Sequence, residues 1–211
     1  MPEEVTLPER EFNNDEVYPL MEQLVAEAVE VLLDFPGFVE RRGLFHECTD
    51  ERDNPIDGWG SIELKYAFSD SASLTEQVRQ EYTDILRDAW TEAGYEISWD
   101  EASPDGSQYN LEASRSDGIV LWWRVLGRTS LTIQSGCVPL AGDDVHPDTY
   151  IPPIGGVLPE NDPFGNAIDL EVYNTETPSG QSTDAAVNPF SDGAVVAYSA
   201  PLDSNPFTGE L

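Results

Sequence analysis

"YNLEASRSDGIVLWWRVLGRTSLTIQSGC", residues 109–137, decides the fold. Three runs of aliphatic, aromatic and β-branched residues, 109–114, 119–126 and 129–135, are parted by Ser116-Asp117-Gly118 and Gly127-Arg128. Short runs of this kind between Gly/Asp turns read as antiparallel strands joined by tight connections. Upstream, "YEISWD" (95–100) reads as a further strand, leading through the turn "SPDGSQ" (103–108) into the first of the three. Four consecutive strands therefore form a β-meander. Trp122 and Trp123 are neighbours on one of them, and successive side chains of a strand point to opposite faces. One indole packs on the covered side. The other marks a candidate exposed-sheet patch, which calls for a partner, a ligand or another part of the chain. Tyr95, Ile97 and Trp99 alternate with Glu96 and Ser98, so the far side of that strand is expected to be polar.

Working outward toward the N-terminus, Ile62, Leu64, Tyr66 and Phe68 alternate within 61–69 and predict one more strand. Two helices flank it. Over 15–34, Val17, Leu20, Leu24, Ala28, Val31 and Leu32 recur at helical spacing, with Asp15 as cap and Pro19 in the first turn. Over 73–93, Leu74, Val78, Tyr82, Ile85, Leu86, Ala89 and Trp90 form the apolar stripe. Ser73 and Glu76 have capping-box spacing, and Gly94 is placed as the left-handed terminal residue. The order α-β-α-β-β-β-β implies an α+β domain over 15–140, a four- to five-stranded antiparallel sheet with two helices packed on one face. Residues 1–14 read as an N-terminal arm.

Past residue 140 the composition changes. "HPDTYIPPIGGVLPENDPFGN" (146–166) is too rich in proline for long regular elements. Residues 141–211 read as an extended acidic Pro/Gly-rich tail with short strand segments at 167–174 and 193–200. Asp162-Pro163-Phe164-Gly165, Asn188-Pro189-Phe190-Ser191 and Asn205-Pro206-Phe207-Thr208 share one pattern, a turn with an aromatic anchor. Phe164, Phe190 and Phe207 are candidate partner-binding anchors, separated by irregular spacers.

The net charge is −31, from 41 acidic and 10 basic residues among 211. Such a field opposes nucleic acid and anionic membranes, which need basic patches, and favours solubility or a cationic partner surface. No apolar run is long enough to cross a bilayer, and the N-terminus has no basic and apolar signal pattern, so either the protein is made without export or the chain is a processed form.

Cys48 and Cys137 bracket the predicted sheet. A bridge between them closes a loop worth about 4 kcal/mol in the loop-entropy account and implies an oxidising compartment. The alternative is two buried thiols acting as small apolar groups.

"DAWTEAGYEISW", "YNLEASRSDGIVLWWRV" and "LTIQSGCVPL" together resemble small secreted proteins and lipoproteins of actinobacteria. That group carries a helix ending W-x-x-x-G-[YW], a hairpin L-x-A-x-R-x-D-G and a last strand closing on cysteine. The matching positions are Trp90, Gly94, Tyr95, Leu111, Ala113, Arg115, Asp117, Gly118 and Cys137, and the likeness spans about 15–140. It implies an envelope location and a non-enzymatic role. The chain departs from the group in lacking a lipobox cysteine.

No phosphate loop, dinucleotide fingerprint, HExxH, CxxC or GxSxG motif occurs. His46 and His146 are too few for a histidine-rich metal site. His146 could join Asp143, Asp144 and Asp148 around a cation. Asp50, Asp53 and Asp57 offer calcium-type oxygen ligands without EF-hand spacing, and an Asx-capped turn is the simpler reading. No metal or other cofactor is therefore expected, calcium being the one candidate. The function these features suggest is a non-enzymatic structural or interaction protein, secreted or of the cell envelope. Its tail would dock on a neighbouring subunit or partner protein. The alternative is an envelope ligand-binding module with an apolar pocket between sheet and helices.

Overall fold

The structure is a computed structural model and describes residues 7–163. Its architecture is α+β, with the helices on one side of an antiparallel sheet of seven strands. Helix α1 (Asn14–Glu30) begins one residue earlier than the sequence suggests, because Asn13 and not Asp15 is the cap. The Asn13 side chain accepts from Glu16 N at 3.0 Å, and Glu16 Oε2 accepts from Asn13 N at 3.0 Å, a reciprocal box that satisfies two helix-end donors. Pro19 consequently sits inside the helix rather than in its first turn.

The strands are β1 (Glu40–Thr49), β2 (Pro55–Ala67), β3 (Glu96–Ala102), β4 (Tyr109–Ser114), β5 (Val120–Val125), β6 (Ser130–Gln134) and the short β7 (Val138–Pro139). Their spatial order is β1-β2-β6-β5-β4-β3, with β7 also paired to β2. The meander is present as expected, and the count of four to five strands is corrected to seven. The main omission was β1. Its inward positions are Arg41, Gly43 and Phe45, which face Tyr66, Leu64 and Ile62 on β2. With an arginine and a glycine facing inward and Leu44 exposed outward, β1 carries no apolar alternation. Cys48 therefore lies within β1 and not ahead of the first strand.

The second helical region also differs. Residues 72–74 form a 3-10 turn and 77–81 a π turn ahead of helix α2 (Tyr82–Glu92). Ser73 does not cap the helix. It is buried, and its hydroxyl accepts from Thr129 N at 2.9 Å, while Leu74 is 73% exposed rather than part of the stripe. Val78, Tyr82, Leu86 and Trp90 do enter the core.

One row across the sheet summarises the interior. Asp100, Leu111, Trp123, Leu131, Tyr66 and Arg41 are successive cross-strand partners from β3 to β1. Around this row, Phe38, Phe68 and Trp123 pack with edge-to-face rings at 4.8–5.5 Å, and Trp123 Nε1 donates to Thr83 Oγ1 of α2 at 2.9 Å.

The packed domain does not end at residue 140. Ile151 and Ile154 lean on the core, Val157 and Asp162 are buried, and Phe38 N donates to Gly155 O at 2.7 Å. Composition marked residues 141–163 as tail because their apolar side chains are spaced by prolines and carboxylates. They instead wrap α1 and β1. Within the arm, Arg10 donates from Nε to Cys137 O at 2.9 Å and from Nη1 to Asp117 O. It lies over Gly118 (φ 85°) and Gly136 (φ 65°), and a Cβ on Gly118 would fall 1.6 Å from the guanidinium.

Candidate functional site

Two arrangements stand out, one on each side of the sheet. On the helix side, Arg41 is fully buried between two carboxylates. It donates from Nε and Nη2 to Asp162 at 2.9 and 2.6 Å, and from Nη1 to Glu22 Oε1 at 2.6 Å and Ile151 O at 2.8 Å. Tyr66 OH donates to Glu22 Oε2 at 2.6 Å and Tyr150 OH to Asp162 Oδ2 at 2.8 Å. Helix α1, strand β1 and the turn at 159–162 thus meet at one guanidinium. Burial pushes the Glu22 carboxyl above its ordinary value, more than Tyr66 and Arg41 pull it down. Burial alone would lower Arg41, but its hydrogen bonds to Asp162 and the charge of Glu22 outweigh that and hold it raised. A charge so placed is a clasp: removing one member leaves the others buried and unpaired. Sequence reading missed it, although Arg41-Arg42 carries the same signal as Trp122-Trp123, two like residues sent to opposite faces.

On the far side, one residue along each strand, lies a second row: Trp99, Glu112, Trp122, Thr132, Lys65 and Arg42. Trp123 is in the core and Trp122 is half-buried on this outer face, as their adjacency requires. The expectation for Trp99 is corrected. A bulge between Ile97 and Trp99 shifts the register, so Trp99 opposes Glu112 on the outer face while Ile97 opposes the buried Ala113. The Arg124 guanidinium lies over the Trp122 ring at 4.7 Å, and Trp122 Nε1 donates to Glu112. Trp99 Nε1 is covered and has no hydrogen-bond partner among the described residues.

Cys48 and Cys137 are joined in a disulfide, with Cα atoms 5.9 Å apart. Asp50 serves the β1–β2 turn: its carboxylate accepts from Asn54 Nδ2 at 2.9 Å, Asn54 N at 2.9 Å and Arg52 N at 2.8 Å, which together lower it. The turn takes Asp53 through φ 60°. Asp50, Asp53 and Asp57 are not brought together, and among the described residues no group of His, Cys, Asp and Glu is arranged to hold a metal ion. The loop at 143–148 is not a ligand cluster either. His146 Nδ1 pairs with Asp144 Oδ1 at 2.7 Å and its ring packs on Phe45 at 4.3 Å, while Asp148 N donates to Asp15. Between the helices and sheet, Leu24, Ala28, Leu86, Trp90 and Leu121 line a cleft of about 150 Å³. Phe164, Phe190 and Phe207 lie outside the described residues, as do the strand segments expected at 167–174 and 193–200.

Among the described residues, no helix is long and apolar enough to cross a membrane. No family model matches the chain, and no curated protein matches it. Two solved structures, both from actinobacteria, are similar at low identity. A DUF4853 family protein from Actinomyces odontolyticus aligns at 13% identity and TM-score 0.46, covering 71% of this chain and 81% of that one. A protein described as "putative lipoprotein LppA", from Mycobacterium tuberculosis, aligns at 12% identity and TM-score 0.32, covering 61% of this chain and 79% of that one.

Proposed function

We propose that the protein is a non-enzymatic, extracytoplasmic interaction protein of the secreted or envelope-associated kind. In this reading the disulfide-closed domain is a rigid base, and the acidic chain beyond it docks on a neighbouring subunit or partner protein. The observation that carries the reading is the Arg41 clasp. Asp162, the last residue before Pro163, is 1% exposed and bonded through both carboxylate oxygens. A buried ionic anchor placed where a long acidic segment leaves a domain fixes the origin of that segment in space, as a docking arm requires. The disulfide supports the compartment, because such bridges persist where the surroundings are oxidising. The cleft between helices and sheet is about half the smallest usual ligand site of roughly 300 Å³, which weighs against the pocket reading.

The test is made on full-length protein. Wild type and a Phe190→Ser/Phe207→Ser variant are compared by chemical crosslinking on intact cells and by native mass spectrometry. The wild type is expected to give a defined crosslinked neighbour that the variant loses. Equal crosslinking in both, or a bare monomer in both, overturns the reading. Acid-quenched thiol labelling that finds free Cys48 and Cys137 in cells would remove the compartment assignment.

A further inference from the structure

We propose that the outer face of the sheet is a docking surface for this chain's own continuation, residues 167–173 ("AIDLEVY"), folded back in cis from Pro163. Three observations converge on that occupant.

The first is where the chain leaves the domain. Asp162 is pinned on the helix side by Arg41, but Pro163 shares a cleft with Val39, Glu40 and Arg128. Glu40 opposes Ala67 and belongs to the outer face, and Arg128 Nη1 donates to its carboxylate. Glu160 and Asn161 line the same cleft, so the 160–163 turn sits at the β1 edge, and Pro163 ends the described chain beside Glu40, at a corner of the outer face.

The second is charge. Among the described residues, carboxylates on this face are engaged wherever they neighbour its centre. Glu112 is bonded to Trp122 and Ser98, Glu63 accepts from Gln134, and Glu40 is shared by Arg42 and Arg128. Glu96 and Glu101 sit out on β3, the opposite edge. Lys65 and Arg124, near the centre, are paired with no carboxylate among the described residues. In a chain of net charge −31, two unneutralised cations near the half-buried indole of Trp122 make a site for an acidic, apolar peptide. Residues 167–173 alternate Ile168, Leu170 and Val172 with Asp169 and Glu171, and no Lys or Arg follows Arg128.

The third is reach. Trp122 on β5 is three strands from β1, about 14 Å at the usual spacing of roughly 4.8 Å. Four residues from Pro163 to Ala167 span up to about 14 Å. The tether is short enough that docking in cis outcompetes docking on a second copy at ordinary concentrations.

This inference does not rest on the proposed function, since Phe190 and Phe207 lie beyond the docked segment. Hydrogen exchange on the full-length monomer tests it. Residues 167–173 are expected to exchange at least about tenfold more slowly than 180–200. Lys65→Glu/Arg124→Glu should erase that difference. So should Leu170→Asp/Val172→Asp, which leaves the domain untouched and also raises hydroxyl-radical labelling of Trp122. Equal exchange of the two segments in wild type, or protection that survives both variants, overturns the inference. Protection seen only in a dimer assigns the face to a second copy, and binding of a soluble neutral polysaccharide to an unprotected wild type assigns it to a carbohydrate. Both results reject docking in cis.

Discussion

The two faces of the sheet are built from neighbouring residues of the same strands, yet they differ in what meets them. Trp123 and Arg41 point one way, Trp122 and Arg42 the other. On the helix side, α1, α2 and residues 141–163 supply partners for both of these groups. Trp123 finds Thr83, and Arg41 finds Glu22, Asp162 and the Ile151 carbonyl. On the outer side the indole of Trp122 is served by its own sheet neighbours, Glu112 and Arg124, and Arg42 remains mostly exposed. Residue type thus does not decide the environment here. The supply of partners from other elements does.

The sharpest way to break this comparison is to truncate the paired tryptophans. Trp123→Ala should cost about 4 kcal/mol of stability in urea unfolding, as a large side chain lost from a close-packed core. Trp122→Ala should cost about 1 kcal/mol or less, the usual range for a partly exposed site. Similar losses would mean the outer indole is as enclosed as the inner one. The arginines come next. Arg41→Met should cost about 3 kcal/mol, because it strands two buried carboxylates, whereas Arg42→Met should change stability by about 0.5 kcal/mol or less. A near-neutral Arg41→Met would show that the clasp does not hold residues 159–162.

The smallest effect is in pH. The Glu22 carboxyl is raised by burial, so the folded chain holds that proton at pH values where the unfolded chain has released it. Stability from this group is therefore full below its ordinary value and declines as pH rises through the interval up to its folded value. Glu22→Gln removes the dependence. The stability difference, wild type minus variant, should fall as pH rises above the ordinary glutamate range, by no more than about 1.4 kcal/mol per pH unit. A flat or rising difference from denaturation midpoints taken above that range would refute the assignment.

Much of the fold was legible in the sequence. The meander declared itself because each of its strands is bounded by Gly/Asp turns, and Ile62, Leu64, Tyr66 and Phe68 alternate cleanly into the core. The cysteines announced a covalent closure, which joins β1 to the residue just ahead of β7. What stayed hidden has one cause. Strand β1 and the wrap at 141–163 bury polar groups that pay for one another, Arg41 with Asp162 and Glu22, so hydrophobic periodicity passes over both. The Trp99 bulge was hidden for a different reason: a one-residue shift in register leaves no compositional trace.

The disulfide has a mechanical corollary. Load applied at Pro163 enters the domain through Asp162 and Arg41 and so reaches β1, the strand that carries Cys48. Residues 138–163 can peel away under tension, but the span from Cys48 to Cys137, a separation of 89 residues, lies inside a covalent loop and cannot lengthen. A pull between the two sides of the domain can therefore draw out α1 and most of β1 on one side and β7 with the wrap on the other, while the strands from β2 to β6 stay shielded from the load.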